Sequence, residues 1–332
     1  MEIRRLDHAS ATDADIAGMF AVRAAAAARD QPADPPPVFE DVAARVRSHR
    51  PDRRRPHLVA RVDGGIAGWG VLWVSVVDNL HMGMMELWVH PDHRRRGVAT
   101  ALLREAAAVL AEDGRTVLLI GADAGPADGL ATRLGGRVVQ VERLSLLRLA
   151  DVDWADVAAV AAAKHPGYRI EAWAERTPDE LLAGYAAAKS AMNDAPHDDA
   201  DFGAFTYTPQ TIRDDEAVMR PLGEYRVVAA VHEETGAVAG FTELLVPPRS
   251  PRATQEDTAV LPAHRGAGLG LWVKADMLVR VRAERPQVAE VLTGNATTNR
   301  HMLAVNDRLG FRPWGDHNFW QFDVGELSAR LG

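Results

Sequence analysis

The chain has 332 residues, 47% hydrophobic and 25% charged; this suffices for packed cores, and the absence of cysteine excludes disulfides, a cysteine nucleophile and thiolate metal sites. The stretch MEIRRLDHAS lacks the apolar core of a signal peptide and no run reaches about 18 apolar residues, so a cytoplasmic chain without a membrane span is expected. The net charge is −8, yet residues 1–150 carry 20 Arg and no Lys against 19 Asp and Glu; the negative excess lies in the remainder, which disfavours a nucleic-acid partner and suits a cationic small substrate.

In chain order, residues 3–6 read as a short strand, and helices follow over 12–29 and 38–49. Residues 56–76 form two apolar β-type runs around Asp63-Gly64-Gly65, a hairpin signal. GMMELWVHP (83–91) is a third strand. The run 98–114 has apolar spacing of three and four and closes on Gly114, as a helix does. A buried strand (116–122), a short helix (126–136) and a strand (137–149) complete this part. The stretch 148–168 reads as a join, with a connecting helix in it. The order then recurs: strand 168–174, helix 178–192, a polar segment 193–205, a helix at 209–219, a hairpin 225–246, strand 254–261, helix 268–284, strand 290–295, helix 299–309 and strands near 311–324.

The recurrence extends to the residues. GGIAGWGVLWV (64–74) resembles TGAVAGFTELLV (235–246), HPDHRRRGVATALL (90–103) resembles LPAHRGAGLGLWVK (261–274), and ATRLGG (131–136) resembles NDRLGF (306–311). The offsets are 172, 171 and 175. Three matches in one order at nearly one offset mark a tandem duplication of about 150–170 residues per copy. The expected division is residues 1–150, a linker at 151–167, and residues 168–332. The expected fold class is α/β with a mixed sheet in each copy.

Arg265-Gly266-Ala267-Gly268-Leu269-Gly270 stands between a strand and a helix. Such a turn aims backbone amides and a positive helix end at an anion, and Arg265 adds a charge. The G-x-x-x-x-G-K-[ST] loop is absent, and the glycines fall G-x-G-x-G rather than in the dinucleotide spacing.

The Arg-x-x-Gly-x-Gly/Ala pattern, in this element order, resembles the GNAT superfamily of acyl-CoA-dependent N-acyltransferases. Arg265, Gly268 and Gly270 match it, as do Arg94, Gly97 and Ala99. The resemblance covers nearly the whole chain as two copies, each with a mostly antiparallel central sheet flanked by helices. It implies that Arg265, Gly266, Ala267, Gly268, Leu269 and Gly270 hold the pyrophosphate of acetyl-CoA, with Val260 or Leu261 supplying an amide to the thioester carbonyl. Val89, Arg94, Arg95, Arg96, Gly97, Val98 and Ala99 form a second possible cofactor site. The family's downstream helix carries an Asn and, seven residues later, a Tyr. Asn299 fits the Asn. Asn306 replaces the Tyr, and an amide cannot protonate a thiolate. The first copy has Ala124 and Ala131 there, so it is expected to be catalytically silent.

Glu256 and Asp257 precede the loop. One of them is expected to act as base or to bind the ammonium; alternation on a strand lets at most one face the substrate. Asp194, His197 and Asp198 are candidates to attract a cationic acceptor, and His317 to line its pocket. No metal is expected. The activity expected is direct acetyl transfer to a small-molecule primary amine in the second copy. The alternatives are a non-catalytic acyl-CoA- or drug-binding protein and a protein N-acetyltransferase.

Overall fold

The computed structural model describes residues 1–125 and 127–332. In chain order its elements are β1 (Glu2–Leu6), α1 (Asp13–Asp30), α2 (Phe39–Arg47), β2 (Arg53–Arg54), β3 (His57–Val62), β4 (Gly65–Ser75), β5 (Met82–Val89), α3 (Val98–Glu112), β6 (Val117–Asp123), α4 (Asp128–Arg133) and β7 (Arg137–Arg148). They continue with α5 (Trp154–Ala161), β8 (Tyr168–Ala174), α6 (Asp179–Lys189), α7 (Pro209–Met219), β9 (Glu224–His232), β10 (Val238–Val246), β11 (Arg252–Val260), α8 (Leu269–Glu284), β12 (Glu290–Ala296), α9 (Arg300–Leu309), β13 (Arg312–Asp323) and α10 (Val324–Leu331). Pro126, the first residue of the helix expected over 126–136, lies outside the described residues.

Strand pairing, not chain order, sets the units. The first comprises Met1–Val141, Asp198–Ala204 and His317–Gly332; the second comprises Glu142–His197 and Phe205–Asp316. These differ from the contiguous division at 150 and 168. The reason is that each repeat's last strand completes the sheet that the other repeat began. From His317 to Asp323, β13 pairs antiparallel with β6; from Glu142 to Arg148, β7 pairs antiparallel with β12.

The first unit's sheet runs β1-β3-β4-β5-β6-β13. Only β5–β6 is parallel, and its register ends at Met85–Ile120. Helix α3 buries Val98, Leu102, Ala106 and Leu110 against Leu58, Leu72 and Leu118, with α10 adding Leu327 and Leu331. The spacing of four places these α3 residues on one stripe. Each fully buried leucine contributes about 1.5–3 kcal/mol.

The second unit's sheet runs β8-β9-β10-β11-β12-β7. Again one pair, β11–β12, is parallel, with a register from Arg252–Glu290 to Thr254–Leu292. Helix α8 buries residues on more than one face, Leu269, Trp272, Val273, Ala275, Met277, Leu278 and Val281 with Lys274 among them. A helix of that kind needs cover on both faces. The sheet covers one face and α5 the other: the Trp272 indole donates to the Ala161 carbonyl at 2.9 Å, and Arg282 lies 4.3 Å from the Trp154 ring centre. The expected linker at 151–167 thus contains a helix capped by Asp153 and packed into the second unit. No helix among the described residues is long and apolar enough to cross a membrane.

Candidate functional site

In each unit the parallel strands share only a short register, and a loop and helix follow the longer one. In the second unit the loop sets Arg265 at φ −66°, Gly266 at φ +84° and Gly268 at φ +75° before α8 begins. In the first, Arg94 stands at φ −67°, Arg95 at φ +62° and Gly97 at φ +81° before α3. The two turns are therefore the same, although only one is glycine-rich. Left-handed residues in such a turn aim successive N–H groups into one concavity, and the first amides of the helix lack intrahelical acceptors. Both units present such a turn. A Cβ at Gly266 or Gly97 would meet nothing within 4 Å, so the requirement is the positive φ. A Cβ at Gly270 would touch Val260 at an ordinary 3.7 Å, which explains why Ala99 serves in the first unit. Val98 and Leu269 are buried and anchor the helix starts.

The signature arginines brace the loop instead of reaching into it. Arg265 Nε donates to the Val260 carbonyl at 3.1 Å, and its Nη2 pairs with Asp194 at 2.6 Å. Arg94 repeats this, with Nε on the Val89 carbonyl at 3.3 Å and both Nη groups on Asp30 at 2.8 and 2.6 Å. The fixed charge expected of Arg265 is thus largely cancelled by Asp194, and Asp194 holds the loop rather than an acceptor. In the first unit the exposed Arg95 and Arg133 line the cavity beside the loop.

The amide of Leu261, expected to serve a thioester carbonyl, already donates to the Ala239 carbonyl at 2.9 Å. Antiparallel pairing alternates, so Val260, opposite Gly240, turns its amide away from β10 toward the side where β12 has left the register.

Glu256 and Asp257 together face the single residue Glu243, because Thr258 pairs with Thr242 and Gln255 with Leu244. This is a bulge, and the strict alternation expected of two neighbouring strand residues does not hold across it. The Asp257 carboxylate is bound by Lys189 Nζ at 3.0 Å; Lys189 also pairs with the buried Glu243 at 2.6 Å, and the Tyr185 hydroxyl donates to Glu243. Burial alone would depress Lys189, but the two carboxylates hold it protonated and raise its pKa. Burial, reinforced by Glu243, raises Tyr185 far above the ordinary phenol value. A lone Glu inside the apolar run GFTELLV was the sequence signal for this cluster.

Asn299 Oδ1 caps α9 by accepting from the Met302 amide at 3.2 Å. Asn306 is fully buried; its Nδ2 donates to Asn295 Oδ1 at 2.7 Å, and its own Oδ1 has no partner. The acidic segment is divided: Asp194 and His197 belong to the second unit, Asp198 to the first. Asp199–Ala204 is fixed in the first unit by the Asp199 amide on the Val139 carbonyl at 3.0 Å and the Asp201 amide on Gln321 at 2.8 Å.

His317 also belongs to the first unit. Its Nδ1 lies 2.8 Å from Asp123 Oδ1, and Gln31 donates to the same carboxylate. The His317 hydrogen bond, with Gln31 and Arg23 nearby, holds Asp123 below the usual carboxylate range against the opposing effect of burial. A cavity of about 700 Å³ runs from the first unit's loop along Leu87, Trp88 and Val89. A second, of about 300 Å³, shares Leu87 and Trp88 and ends on Glu86, Asp123 and His317. Among the described residues no group of three His, Cys, Asp or Glu could hold a metal ion.

Residues 24–135 match the Acetyltransferase (GNAT) family. A mycothiol acetyltransferase of Parafrankia sp. (strain EAN1pec) is 28% identical over 326 residues, 90% of this chain and 92% of that one. Another, from Mycolicibacterium vanbaalenii, is 39% identical over 101 residues, 30% of this chain and 32% of that one. A solved tandem GNAT protein from the clavulanic acid biosynthesis pathway is similar with a TM-score of 0.79 and 27% identity over 98% of both chains. A GCN5-related N-acetyltransferase from Sphaerobacter thermophilus shares the fold, with a TM-score of 0.65 and 16% identity over 97% of this chain and 95% of that one.

Proposed function

We propose that this chain is a tandem GNAT-type N-acetyltransferase whose second unit transfers acetyl from acetyl-CoA to a small-molecule primary amine. The observation that carries the proposal is the loop of Arg265 to Gly270, left-handed at Gly266 and Gly268, which follows the end of β11 that extends beyond its register with β12. The loop amides hold the diphosphate, and the Val260 amide meets the thioester carbonyl, where negative charge grows during attack. The bulge sets Glu256 and Asp257 side by side on β11; Glu256 accepts the proton of the attacking amine while Asp257 stays bound to Lys189. The departing thiolate finds no phenol at Asn306. Two relatives named as mycothiol acetyltransferases support a small molecule, not a protein, as the acceptor.

Gly268→Asp tests this. It sets a carboxylate in the anion site and forces a side chain onto φ +75°. Calorimetric titration with acetyl-CoA should show the second unit's binding weakened at least about tenfold, the cost of losing charge-assisted contacts. An unchanged isotherm overturns the reading. Acetyl-CoA binding without CoA release to any amine would support an acyl-CoA-binding module instead, which the burial of Asn306 and the Lys189 hold on Asp257 favour.

A further inference from the structure

We propose that the first unit is a second acyl-transfer centre, in which His317 receives the proton of the attacking amine and Asp123 positions it. Its acceptor is a small primary amine that also carries an anionic group. The proposal shares the acyl-CoA reading of the loops but needs no chemistry in the second unit.

The sequence argues for silence here only through Ala124 and Ala131. The structure supplies a different side chain, on the strand that closes this sheet from the far end of the chain. His317 pairs with Asp123 across β13 and β6, and Phe319 pairs with Gly121. Paired residues share a face, so Gly121, Asp123, His317 and Phe319 stand together. The imidazole fills the room that Gly121 leaves: a Cβ there would lie 2.6 Å from His317 Nε2. Phe319 closes on the ring edge-on at 5.3 Å. Nδ1 donates to Asp123, which puts the lone pair of the ring on Nε2, the nitrogen that lies over Gly121, and the ring lines the cavity that adjoins the one at the loop.

The remaining charges at this end come from two elements. Glu86 on β5 is exposed to the same cavity and draws an ammonium. Arg23 on α1 lies 4.8 Å from the Trp88 ring centre, without an ion pair among the described residues, and suits a carboxylate or phosphate on the acceptor. Asp30, on the same helix, is neutralised by Arg94.

The neutral amine attacks the thioester carbon and the C–N bond forms. Its proton passes to His317 Nε2 while Nδ1–H stays on Asp123. The C–S bond then breaks, and the CoA sulfur takes that proton from the imidazolium. The products are an amide and CoA thiol, with no further reactant.

Bromoacetyl-CoA tests the placement without an acceptor. Attack by Nε2 on its bromomethyl carbon forms a C–N bond and releases bromide, and mass spectrometry of the full chain reads the adduct. The expected result is an adduct at His317 that persists in Gly268→Asp and vanishes in Gly97→Asp. Asp123→Asn should slow labelling and move its pH profile, which a merely structural role would not do. An adduct confined to the second unit, or none at His317, overturns the proposal. A kinetic arm uses acetyl-CoA with β-alanine, O-phosphoethanolamine and spermidine. Gly268→Asp should still release CoA with the two anionic amines, and His317→Gln should remove that residue of activity by about 100-fold. If Gly268→Asp abolishes all release that the wild type shows, the first-unit centre fails and the second-unit reading stands; if only Gly97→Asp abolishes it, the reverse holds.

Discussion

Arg95 and Gly266 occupy the same point of two loops that trace the same path, one at φ +62° and the other at φ +84°. The first unit makes the turn without the glycine that makes it easy. The second keeps the glycine and has changed elsewhere: its strand β11 carries a bulge at Glu256–Asp257, a buried ion cluster on Lys189 and Glu243, and a buried Asn306. The facing strands of the first unit, β4 and β5, pair from Gly68–Val89 to Trp73–Met84 without a bulge. The loop and the proposed reaction end thus differ independently between the two units. The loop depends on backbone geometry, which several residues can adopt at a small cost. The reaction end depends on particular functional groups.

The largest effect is expected at that end of the second unit. Glu256→Gln keeps size and hydrogen bonding but cannot take a proton. Amine-dependent CoA release from the second unit, measured in a Gly97→Asp background, should fall about 100-fold with little change in the KM for acetyl-CoA. Asp257→Asn should behave differently, because it strips a carboxylate from the buried Lys189 and lowers stability as well as rate. If Glu256→Gln is neutral and Asp257→Asn alone is inactive without loss of stability, the roles given to the two bulge residues are exchanged.

The loops were legible because three features recur in the sequence: a strand, an Arg-x-x-Gly turn and a helix start. Even so, the reading rested on Gly268 and Gly97 and missed that Arg95 adopts the same conformation as Gly266. The placement of His317 was not legible. Sequence adjacency assigned it to the second repeat, and only hydrogen bonding between β13 and β6 decides which sheet a final strand completes. The same limit divided Asp198 from Asp194. Asp123, the one charge ending the apolar strand VLLIGAD, was the available hint of a polar partner. The bulge escaped for a related reason: register is fixed by the partner strand, and alternation was assumed across a point where it slips.

A smaller difference lies inside the helices that follow the loops. Leu103 of α3 is buried; its counterpart in α8, at the repeat offset, is Lys274, 1% exposed and 5.4 Å from the centre of the Phe311 ring. Burial pushes Lys274 down to about 7. Its unfolded value, near 10.5, is higher, so the unfolded chain binds the extra proton between pH 7 and about 10. Stability of the second unit should therefore rise with pH across that window. Lys274→Leu, which copies the first unit, should raise stability at pH 7 by about 1–4 kcal/mol and flatten the rise. Urea midpoints at pH 7 and 9.5 check both, and a variant that keeps the wild-type slope would assign the rise to another group.

The smallest effect returns to the two loops and separates conformation from charge. Arg95→Gly gives the first loop the residue of the second. A non-glycine side chain in the left-handed region costs on the order of 1 kcal/mol, and glycine recovers this while adding freedom to the unfolded chain. The two terms oppose, so the change in stability should be within about 1 kcal/mol. The guanidinium, however, lines the cavity beside the loop and has no counterpart at Gly266. Acetyl-CoA affinity of the first unit, measured in a Gly268→Asp background, should fall a few-fold, and more at low salt, because an exposed charge acts through screened attraction. Equal affinity in Arg95→Gly and wild type would mean that the amides alone hold the diphosphate. The two loops would then be interchangeable, and any functional difference between the units would lie in Glu256, Asp123 and His317.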